Sequence, residues 1–508
     1  MDLLSLFWSG VVGAFQPHNF IILVTGLMVG TIAGALPGIS FVNAMAMALP
    51  FTYVMEPTTA MCFLGGIYVG GVFGGSISSI LINIPGTPAS LPACWDGYPM
   101  TEKGLSTRAL RIAITASATG GFISAILLAV ASPPFAAFAL KFDQPEFFAA
   151  TILGLASVVA IAKDMPVLSA LSMFLGLLIG TIGIDPLYGI PRFTFGVSEI
   201  ESGINFTVVM IGLFAIGEVI DLLVKHVDLK RTFAQQPGKQ ITWKELWGLK
   251  GSILRGSGLG AMIGTIPGAG ATVGAVIAYG VERQASGRGK EFGTGVEQAL
   301  AAPEAAKNAT TGAAMIPLLT LGIPGSAATA IMLAAMLIHG ISPGPLLFRM
   351  DPSLVYTIFV SMLVANLLMI VAAVIVARGF STLMRVPPAI LGAFIIVLSV
   401  VGAYGVRNNI FDVYVCLVFG VLGFIMKRAN FPSAPLVLGV ILGPLAERYF
   451  LTSLANYEDN FLIFVQRPIS ATILGLAAAF VLWSLYPTIK AELDRRRGAS
   501  TRIVNTRP

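Results

Sequence analysis

The stretch Asn83–Ser90, NIPGTPAS, recurs later in the chain as Gly322–Thr329, GIPGSAAT. Both copies lie in long apolar segments and place a hydroxyl residue, Thr87 or Ser326, directly after a Pro-Gly pair. Proline lacks a backbone donor and glycine weakens a helix, so each copy predicts a break inside an apolar helix. Hydroxyl residues are typical N-caps, and we therefore expect a new half-helix to begin at each of these two positions.

Further matches extend this similarity to two halves of the chain. The Pro-Gly-Thr element repeats at an offset of 239 residues, and an earlier glycine ladder repeats at an offset of 230. The ladder residues are Gly26, Gly30, Gly34, Pro37 and Gly38, which recur as Gly256, Gly260, Gly264, Pro267 and Gly268. Weaker matches pair Pro145 with Pro387, Gly176 with Gly420 and Gly212 with Gly439. These matches predict two repeats at 1–225 and 252–450, a basic linker at 226–251, and an extra span with a basic tail at 451–508.

The composition is that of a membrane protein. Of 508 residues, 56% are hydrophobic and 11% charged, against about 25% charged in soluble proteins. Many apolar stretches reach about 20 residues, enough to cross ~30 Å of hydrocarbon. We therefore predict an all-α polytopic membrane protein. A soluble enzyme, a nucleic-acid binder and a disulfide scaffold are all disfavoured, since Cys62, Cys94 and Cys416 form no close-spaced pair.

The basic residues predict the orientation in the membrane. Lys103 is the first Lys or Arg of the chain, so a cleaved signal peptide is not expected. The positive-inside rule places both basic clusters, and hence the C-terminus, in the cytoplasm. The clusters are Lys225, Lys230, Arg231, Lys239, Lys244, Lys250 and Arg255, and then Lys490, Arg495, Arg496, Arg497, Arg502 and Arg507.

The loops around the two breaks predict that the repeats are inverted. The loop before the first break, FTYVMEPTT, has no basic residue, whereas its counterpart carries Arg283, Arg288 and Lys290. After the breaks the charges reverse: the first half has Lys103, Arg108 and Arg111, and the second has only Arg349 balanced by Asp351. Equivalent loops are therefore expected on opposite sides of the membrane, as in inverted-repeat transporters.

One assignment satisfies every loop and gives about 11 crossings, two hairpins and an external N-terminus. Residues 3–15 are expected to form an interfacial helix; the alternative, that they span, gives 12 crossings. The hairpins are 19–54 and 252–281, and the broken helices that cross once are 59–100 and 295–340. The continuous helices are 112–132, 145–163, 166–184, 205–224, 353–377, 386–404, 409–426 and 433–450, and the last span is 468–487.

Breaks inside a bilayer are the main candidates for a transport site, because free backbone groups are tolerated there only when protein or a water-filled cavity satisfies them. Half-helix N-termini attract anions, while exposed carbonyls suit Na⁺. The candidate substrate-binding residues are Asn83, Gly86, Thr87, Ser90, Asn308, Thr311, Gly325, Ser326 and Thr329. The candidate ion-binding residues are Pro37, Gly38, Pro267 and Gly268. The structural alternatives are helix packing for the glycine ladder and simple capping for Thr87 and Ser326.

Other polar residues receive simpler interpretations. Glu304 and Lys307 lie three apart on one helix face and are expected to neutralise each other. Glu218 and Asp221 are interpreted as solvated at a helix end. The histidines, His18, His226 and His339, fall at loops or helix ends, which disfavours a proton relay. The sequence has neither a nucleophile paired with a base nor a metal-ligand spacing, so no enzyme and no cofactor is expected.

Several motifs in order resemble the TctA family, the large membrane subunit of tripartite tricarboxylate transporters. They are GALPGIS, YVGGVFGGSISSILINIPGTPAS with WDGYPM, GTIPGAGA, APEAAKNATTGA, LGIPGSAATA and FPSAPLVLGVILGPLAE. The resemblance implies a bacterial inner-membrane transporter for citrate, other di- or tricarboxylates or aromatic carboxylates, with Na⁺ as coupling ion. It also implies two partners, a small four-helix TctB-like subunit and a periplasmic TctC-like binding protein. The chain departs from the family at Lys307, where an asparagine is common.

Two alternatives remain at this stage. A proton-coupled permease of the same architecture, working alone, would need no binding protein. A channel or an intramembrane enzyme would need rings of pore-lining residues or a convergent catalytic set, and the sequence shows neither. For a Na⁺-coupled transporter with a binding protein, we expect the hairpins and broken helices to move against the remaining spans in an elevator-like or rocking motion.

Overall fold

The computed structural model describes residues 3–36, 40–161, 165–185, 189–224, 241–268, 270–383 and 388–482. Helices dominate this part of the chain, which confirms the all-α membrane class. The first-half helices are α1 (Leu3–Ala14), α2 (Pro17–Ala35), α3 (Phe41–Thr52), α4 (Pro57–Ile82), α5 (Leu91–Glu102), α6 (Ser106–Ala139), α7 (Gln144–Ile161), α8 (Pro166–Gly180), α9 (Ser198–Glu201), α10 (Phe206–Met210) and α11 (Gly217–Val224).

The second half is also mostly helical. Its helices are α12 (Trp243–Gly248), α13 (Lys250–Gly264), α14 (Gly270–Ala285), α15 (Glu297–Leu321), α16 (Ala327–Ile338), α17 (Leu347–Met350), α18 (Pro352–Leu383), α19 (Pro388–Arg407), α20 (Ile410–Arg428), α21 (Ser433–Asn456) and α22 (Ile463–Gln466). A 3-10 turn, Pro88–Ser90, precedes α5, and a π-helical segment, Ile211–Ile216, joins α10 to α11. Two-residue strands, β1 (Gly183–Ile184) and β2 (Pro191–Arg192), pair antiparallel.

Six helices in the described part of the chain are long and apolar enough to cross a membrane. They are α2, α4, α6, α18, α20 and α21. Seven shorter apolar helices accompany them, including Pro468–Leu482, which forms the described part of the last expected span. The shorter ones include α3, an arm of the first expected hairpin, and α16, the half-helix after the second break, so helix length alone undercounts the membrane elements of a chain with broken helices.

The first helix, α1, is short for a membrane span. Its 12 residues extend ~18 Å at 1.5 Å per residue, well below the ~30 Å hydrocarbon thickness. It packs on α18, where a side chain on Gly10 would overlap the backbone of Tyr356 and one on Gly13 would overlap Thr357. The length agrees with the expectation that this segment does not span alone.

The chain divides into two compact units that cut across the predicted repeats. Unit 1 comprises Met1–Lys141 and Ile204–Asn430, and unit 2 comprises Phe142–Gly203 and Phe431–Pro508. Unit 1 holds both glycine ladders and both breaks. Unit 2 holds α7, α8 and α21, where the rings of Phe148, Phe450 and Phe464 pack together. The repeat boundaries at 225 and 252 therefore remain a prediction about sequence relationship, distinct from the compact units.

Equivalent glycines of the two ladders make equivalent contacts within unit 1. A Cβ on Gly30 would overlap the carbonyl oxygen of Ile67, and a Cβ on Gly260 would overlap that of Ala306. Gly26 faces Phe63 in the same way that Gly256 faces Ala302. Each partner on α15 lies 239 residues after its counterpart on α4. The ladders are thus close-packing faces, one on α2 against α4 and the other on α13 against α15.

The weaker glycine matches also correspond to equivalent contacts. In unit 2, Gly176 on α8 packs against Gly439 on α21. In unit 1, Gly420 on α20 packs against Gly212 in the π-helical segment. The helix predicted at 205–224 is not regular, because its middle, Ile211–Ile216, is π-helical. Gly212 lies in this segment, where a Cβ would overlap the carbonyl oxygen of Cys416. In each of these two glycine contacts, one helix comes from the first predicted repeat and the other from the second.

Two basic loops lie at the same end of unit 1. The Lys103 amine donates to the carbonyl of Thr294 at 2.5 Å, and the Arg108 guanidinium pairs with Glu297 at 2.5 Å. At the other end of the 26-residue helix α4, His339 lies against the backbone of Thr52. The loop after the first break and the loop after the second break thus lie near different ends of α4, and the inverted relation of the two repeats stays a prediction.

We expect residues 103 and 288 both to face the cytoplasm, because Lys and Arg concentrate in these two loops. Single cysteines replacing Lys103 and Arg288, in a chain without Cys62, Cys94 and Cys416, should resist an impermeant thiol reagent added to intact spheroplasts. The same sites should react after the membrane is permeabilised. Labelling of both cysteines from outside would contradict the orientation, and labelling of only one would contradict the inverted repeats.

Candidate functional site

The first break follows directly from local backbone chemistry. Helix α4 ends at Ile82, and Asn83 closes it in the left-handed conformation with a φ of 58°. The chain then turns back, because the amide of Gly86 donates to the carbonyl of Gly75 at 3.3 Å. Thr87 is extended, and Pro88 opens the 3-10 turn that leads into α5. The expected new half-helix therefore begins where the sequence predicts it, beside the body of α4.

The second break has the same construction. Helix α15 ends at Leu321, and Gly322 closes it with a φ of 72°. Ser326 then caps α16 with a reciprocal capping box, accepting from the amide of Thr329 at 3.3 Å while the hydroxyl of Thr329 accepts from the amide of Ser326 at 2.8 Å. The capping interpretation of Ser326 thus describes its observed contacts.

The first cap differs in one detail. Thr87 occupies the N-cap position but accepts no backbone amide with its side chain. Its hydroxyl lies 2.9 Å from that of Ser90, which is the equivalent of Thr329 at the offset of 239. The amide of Ser90 donates instead to the backbone carbonyl of Thr87 at 2.9 Å, so the hydroxyl pair stands where the second break has a capping box. At the start of this half-helix, therefore, the N-cap side chain accepts no hydrogen bond from a backbone amide.

Each break meets the hairpin of its own half. The amide of Gly268 donates to the carbonyl of Gly325 at 2.8 Å, which joins a candidate ion-binding residue to a candidate substrate-binding residue. In the first half, a Cβ on Gly86 would overlap the carbonyl oxygen of Gly34. The remaining candidate ion-binding residues, Pro37 and Gly38, lie outside the described residues. The structure thus gathers Gly325, Ser326, Thr329, Pro267 and Gly268 at the second break, and Gly86, Thr87 and Ser90 at the first.

Each break is also packed by the opposite half of the chain. Helix α14, the second arm of the later hairpin, packs against the 3-10 turn of the first break. Helix α3, the second arm of the earlier hairpin, packs against α16 of the second break. The two clusters are therefore built reciprocally, and a movement of either hairpin would alter both.

A fully buried ion pair lies beside the first break. The Lys307 ammonium is 3.0 Å from the Glu304 carboxylate, and both side chains are at most 2% exposed. Ser76 and Ser117 donate to the two carboxylate oxygens of Glu304 at 2.6 and 2.9 Å. The interpretation that Glu304 and Lys307 neutralise each other agrees with this geometry. The sequence interpretation did not predict that this ion pair, through Ser76 and Ser117, connects α15 to α4 and α6.

Asn308 and Thr311 lie apart from the capping hydroxyls. The Asn308 amide donates to the sulfur of Met369 on α18 at 3.4 Å, and its carbonyl oxygen is buried without a hydrogen-bond partner. Thr311 donates to the backbone carbonyl of Asn308 at 2.7 Å. The buried, unpartnered oxygen keeps Asn308 a candidate ligand, since such a group is costly unless something binds it.

The acidic pair on α11 is not solvated as the sequence suggested. Asp221 is only 2% exposed, and its carboxylate lies 2.8 Å from the ammonium of Lys427. Glu218 contacts the same ammonium at 2.5 Å. The interpretation was wrong because their shared partner, Lys427, lies on α20, more than 200 residues further along the chain. Of the histidines, His18 is exposed, His339 is half-buried, and His226 lies outside the described residues.

Sequence reasoning missed three side chains at the breaks. Tyr68 lies 3.5 Å from the hydroxyl of Ser326, and Ser76 and Ser117 hold the buried ion pair. The offset of 239 identifies Tyr68 as the equivalent of Lys307, so the repeat itself carried a usable signal for that residue. Ser76 and Ser117 have no such signal, because many serines share their apolar context.

Asn83 allows a side-chain role to be separated from a backbone role. Asn83→Ala should destabilise the protein by ~1 kcal/mol because alanine tolerates the left-handed region poorly. Asn83→Gly should fold normally, since glycine occupies the equivalent position 322. If the exposed side-chain amide of Asn83 contacts the substrate, both variants should lose uptake when uptake is normalised to the amount of protein in the membrane. Normal uptake by Asn83→Gly would reduce this residue to a helix terminator.

Comparison with known proteins agrees with the resemblance carried by the motifs. The sequence profile of the tripartite tricarboxylate transporter TctA family matches residues 20–438. A protein of Agrobacterium vitis, described as an uncharacterized 52.8 kDa protein in the TAR-I ttuC' 3' region, is 36% identical over 496 residues, covering 97% of this chain and 99% of the relative.

A second protein of the same organism, described as an uncharacterized protein in the TAR-II ttuC' 3' region, is 35% identical over 236 residues. The match covers 46% of this chain and 98% of that relative. No solved structure matches the chain significantly. With a family profile spanning most of its length, including both breaks and both glycine ladders, the chain belongs to the TctA family of tripartite tricarboxylate transporters.

Proposed function

We propose that the protein is a secondary active transporter that imports small di- or tricarboxylates, citrate-like or aromatic, across the bacterial inner membrane. Na⁺ is the coupling ion, and a periplasmic binding protein delivers the substrate. A small four-helix subunit completes the membrane complex. Family membership supports a role as a component of a tricarboxylate transporter. The geometry of the two breaks supports the proposed carboxylate and Na⁺ binding.

The observation that carries the proposal is the pair of half-helix N-termini at matched breaks. Thr87 and Ser326 each begin a short helix beside the body of a long one. Helix N-termini present backbone amides and a partial positive charge, which favour carboxylates without requiring a fixed cation. Two such ends suit a substrate with two or more carboxylates, and weak, distributed contacts suit its release.

The reciprocal packing supports a moving core built from inverted repeats. The contacts of the two glycine ladders match at constant offsets, and each break is packed by the hairpin of the opposite half. Symmetry of this kind lets one structure adopt two equivalent tilts, one open to each side. We propose that hairpins and broken helices form the moving part, with a periplasmic N-terminus and a cytoplasmic C-terminus.

Cation coupling follows from the charge of the substrate. Each negative charge entering a negative-inside cell costs ~2.3 kcal/mol per 100 mV, so a polyanion must travel with cations. The turn at Pro267 and Gly268, tied to the carbonyl of Gly325, offers backbone oxygens beside a substrate site. Oxygen ligands suit Na⁺, and the three histidines lie at loops or helix ends, where a proton relay across the membrane has little support.

The proposal is tested by reconstitution. The purified protein and its small partner subunit, in liposomes, should accumulate radiolabelled citrate or an aromatic dicarboxylate only with an inward Na⁺ gradient and with the binding protein outside. Omission of Na⁺, with choline as substitute, or of the binding protein should each reduce uptake to background. Uptake driven by a pH gradient in Na⁺-free buffer, or undiminished without the binding protein, would instead establish a stand-alone proton-coupled permease.

A further inference from the structure

The Lys307 ammonium lies inside a cage of oxygen atoms. The Glu304 carboxylate is 3.0 Å away, the hydroxyl of Ser76 is in hydrogen-bonding contact, and the hydroxyl of Ser90 is 3.4 Å away. The ring of Phe73 closes one side, with its centroid 5.8 Å from the nitrogen. Lys307 is 0% exposed, so the charge has no access to solvent and depends wholly on these groups.

The cage is connected to the first break. Ser90, which contacts the ammonium, lies 2.9 Å from Thr87, the N-cap of the first half-helix. Gly75 leaves room for this pair, because a Cβ there would meet both hydroxyls within 2.7 Å. The ammonium is therefore two hydroxyl groups away from the backbone amides that we propose as carboxylate ligands.

At the second break, the side chain equivalent to Lys307 is uncharged. Tyr68, the equivalent of Lys307 on α4, reaches across the molecule to within 3.5 Å of the Ser326 hydroxyl. Lys307 on α15 reaches back to the hydroxyl pair of the first break. Each break thus receives one side chain from the opposite half, a neutral phenol at the second break and a cation at the first.

We propose that the Lys307 ammonium is a tethered cation that occupies, at the first break, the position of a mobile coupling cation. The inference rests on the proposed function and deepens it. The carboxylate and hydroxyl oxygens around the nitrogen are the ligands that a hard cation such as Na⁺ prefers. Because this cation is covalently attached, the first break does not depend on Na⁺, and only the second break requires a diffusible cation.

The decisive variant is Lys307→Gln, which removes the ammonium and leaves Glu304 as a buried carboxylate in a cage of hydroxyls. Na⁺ is expected to enter this cage. In detergent, replacing choline chloride by NaCl at equal ionic strength should raise the melting temperature of the variant by about 5 °C more than that of the unmodified protein. In liposomes, the Hill coefficient for Na⁺-driven uptake should increase by about one.

Two further variants serve as controls. Glu304→Gln combined with Lys307→Gln removes both charges, and it should show no added Na⁺ stabilisation because a neutral cage has no need of a cation. Tyr68→Phe changes the equivalent residue at the other break and should likewise add none. Both controls conserve side-chain volume, so they report on packing damage separately from charge.

The outcomes separate this inference from the proposed function. Absence of Na⁺-driven uptake by the unmodified protein would refute the function, while the melting comparison would still decide the cage. Lys307→Gln that folds with no added Na⁺ stabilisation, or that fails to fold in both salts, would overturn the tethered cation. Folding of this variant in NaCl but not in choline chloride would support it.

Discussion

Gly260→Leu is expected to abolish the folded protein, and Gly258→Leu on the same helix is expected to be tolerated. A Cβ on Gly260 would overlap both the carbonyl oxygen and the Cα of Ala306, whereas Gly258 is exposed with no atom within 4 Å of such a Cβ. Backbone atoms inside a packed helix pair cannot shift without separating the helices, so the cost should exceed ~3 kcal/mol.

The repeat provides a second test of the same contact. Gly30→Leu should be as damaging as Gly260→Leu, because Gly30 meets the backbone of Ile67 in the same way. The measurement is the fraction of protein that is monodisperse in mild detergent after extraction from membranes, with its melting temperature. Equal yields and melting temperatures for Gly258→Leu and Gly260→Leu would show that the ladder does not hold α13 against α15.

Asp96→Ala is expected to loosen one end of unit 1. The Asp96 carboxylate is fully buried and accepts hydrogen bonds from the amides of Gly293, Gly295 and Val296 at 2.8–3.0 Å. The hydroxyl of Tyr279 donates to it at 2.9 Å. Removal of the carboxylate leaves the buried amide of Val296 and three less buried donors without their acceptor, so a total loss of ~3 kcal/mol is expected at ~1–3 kcal/mol for a buried donor.

The checks for Asp96 are a melting temperature and limited proteolysis of the loop at 286–295, which should be cut faster in Asp96→Ala. Tyr279→Phe is the matched control, since it removes only one of the bonds and should cost ~1 kcal/mol. Unchanged protection of the loop in Asp96→Ala would mean that the Arg108 pairs with Glu297 and Glu245 hold this end without help from the carboxylate.

The Arg108 pairs also connect the linker to the core. Glu245 opens α12 as part of a capping box with Thr242. The backbone amide of Thr242 is the main cause that lowers the pKa of Glu245 to about 2, and the Arg108 guanidinium adds to it. Glu245 is thus ionised throughout the physiological pH range. The described start of the second half is thereby tied to α6 of the first half.

Family membership places the tethered cation in a functional context. The resemblance in the motifs around Lys307 implies an asparagine at this position, where this chain has an ammonium. A transporter with a built-in charge at one break would import the same carboxylate with one fewer mobile cation. The relation between ion gradient and accumulation would change accordingly, and this is what the Hill coefficient of Lys307→Gln measures.

The amino-acid sequence by itself determined the membrane class, the positions of the breaks and the glycine register. These features are local: Pro85-Gly86 and Pro324-Gly325 interrupt a helix wherever they occur in one, and a hydroxyl after them caps the next helix. The repeat offsets added which residues are equivalent. Equivalence was enough to predict that Gly30 and Gly260 share a role, and the structure shows them making the same contact.

Only the tertiary structure decided which distant residues meet. Nothing in the local pattern places Lys307 beside Ser76 and Ser90, Tyr68 beside Ser326, or Asp221 beside Lys427. These contacts join segments more than 200 residues apart, and they depend on how helices of the two halves pack. The sequence shows which side chains are charged, but the packing of neighbouring helices determines which groups surround each charge. For a buried charge those surroundings decide whether it is a structural ion pair, a ligand or a tethered cation.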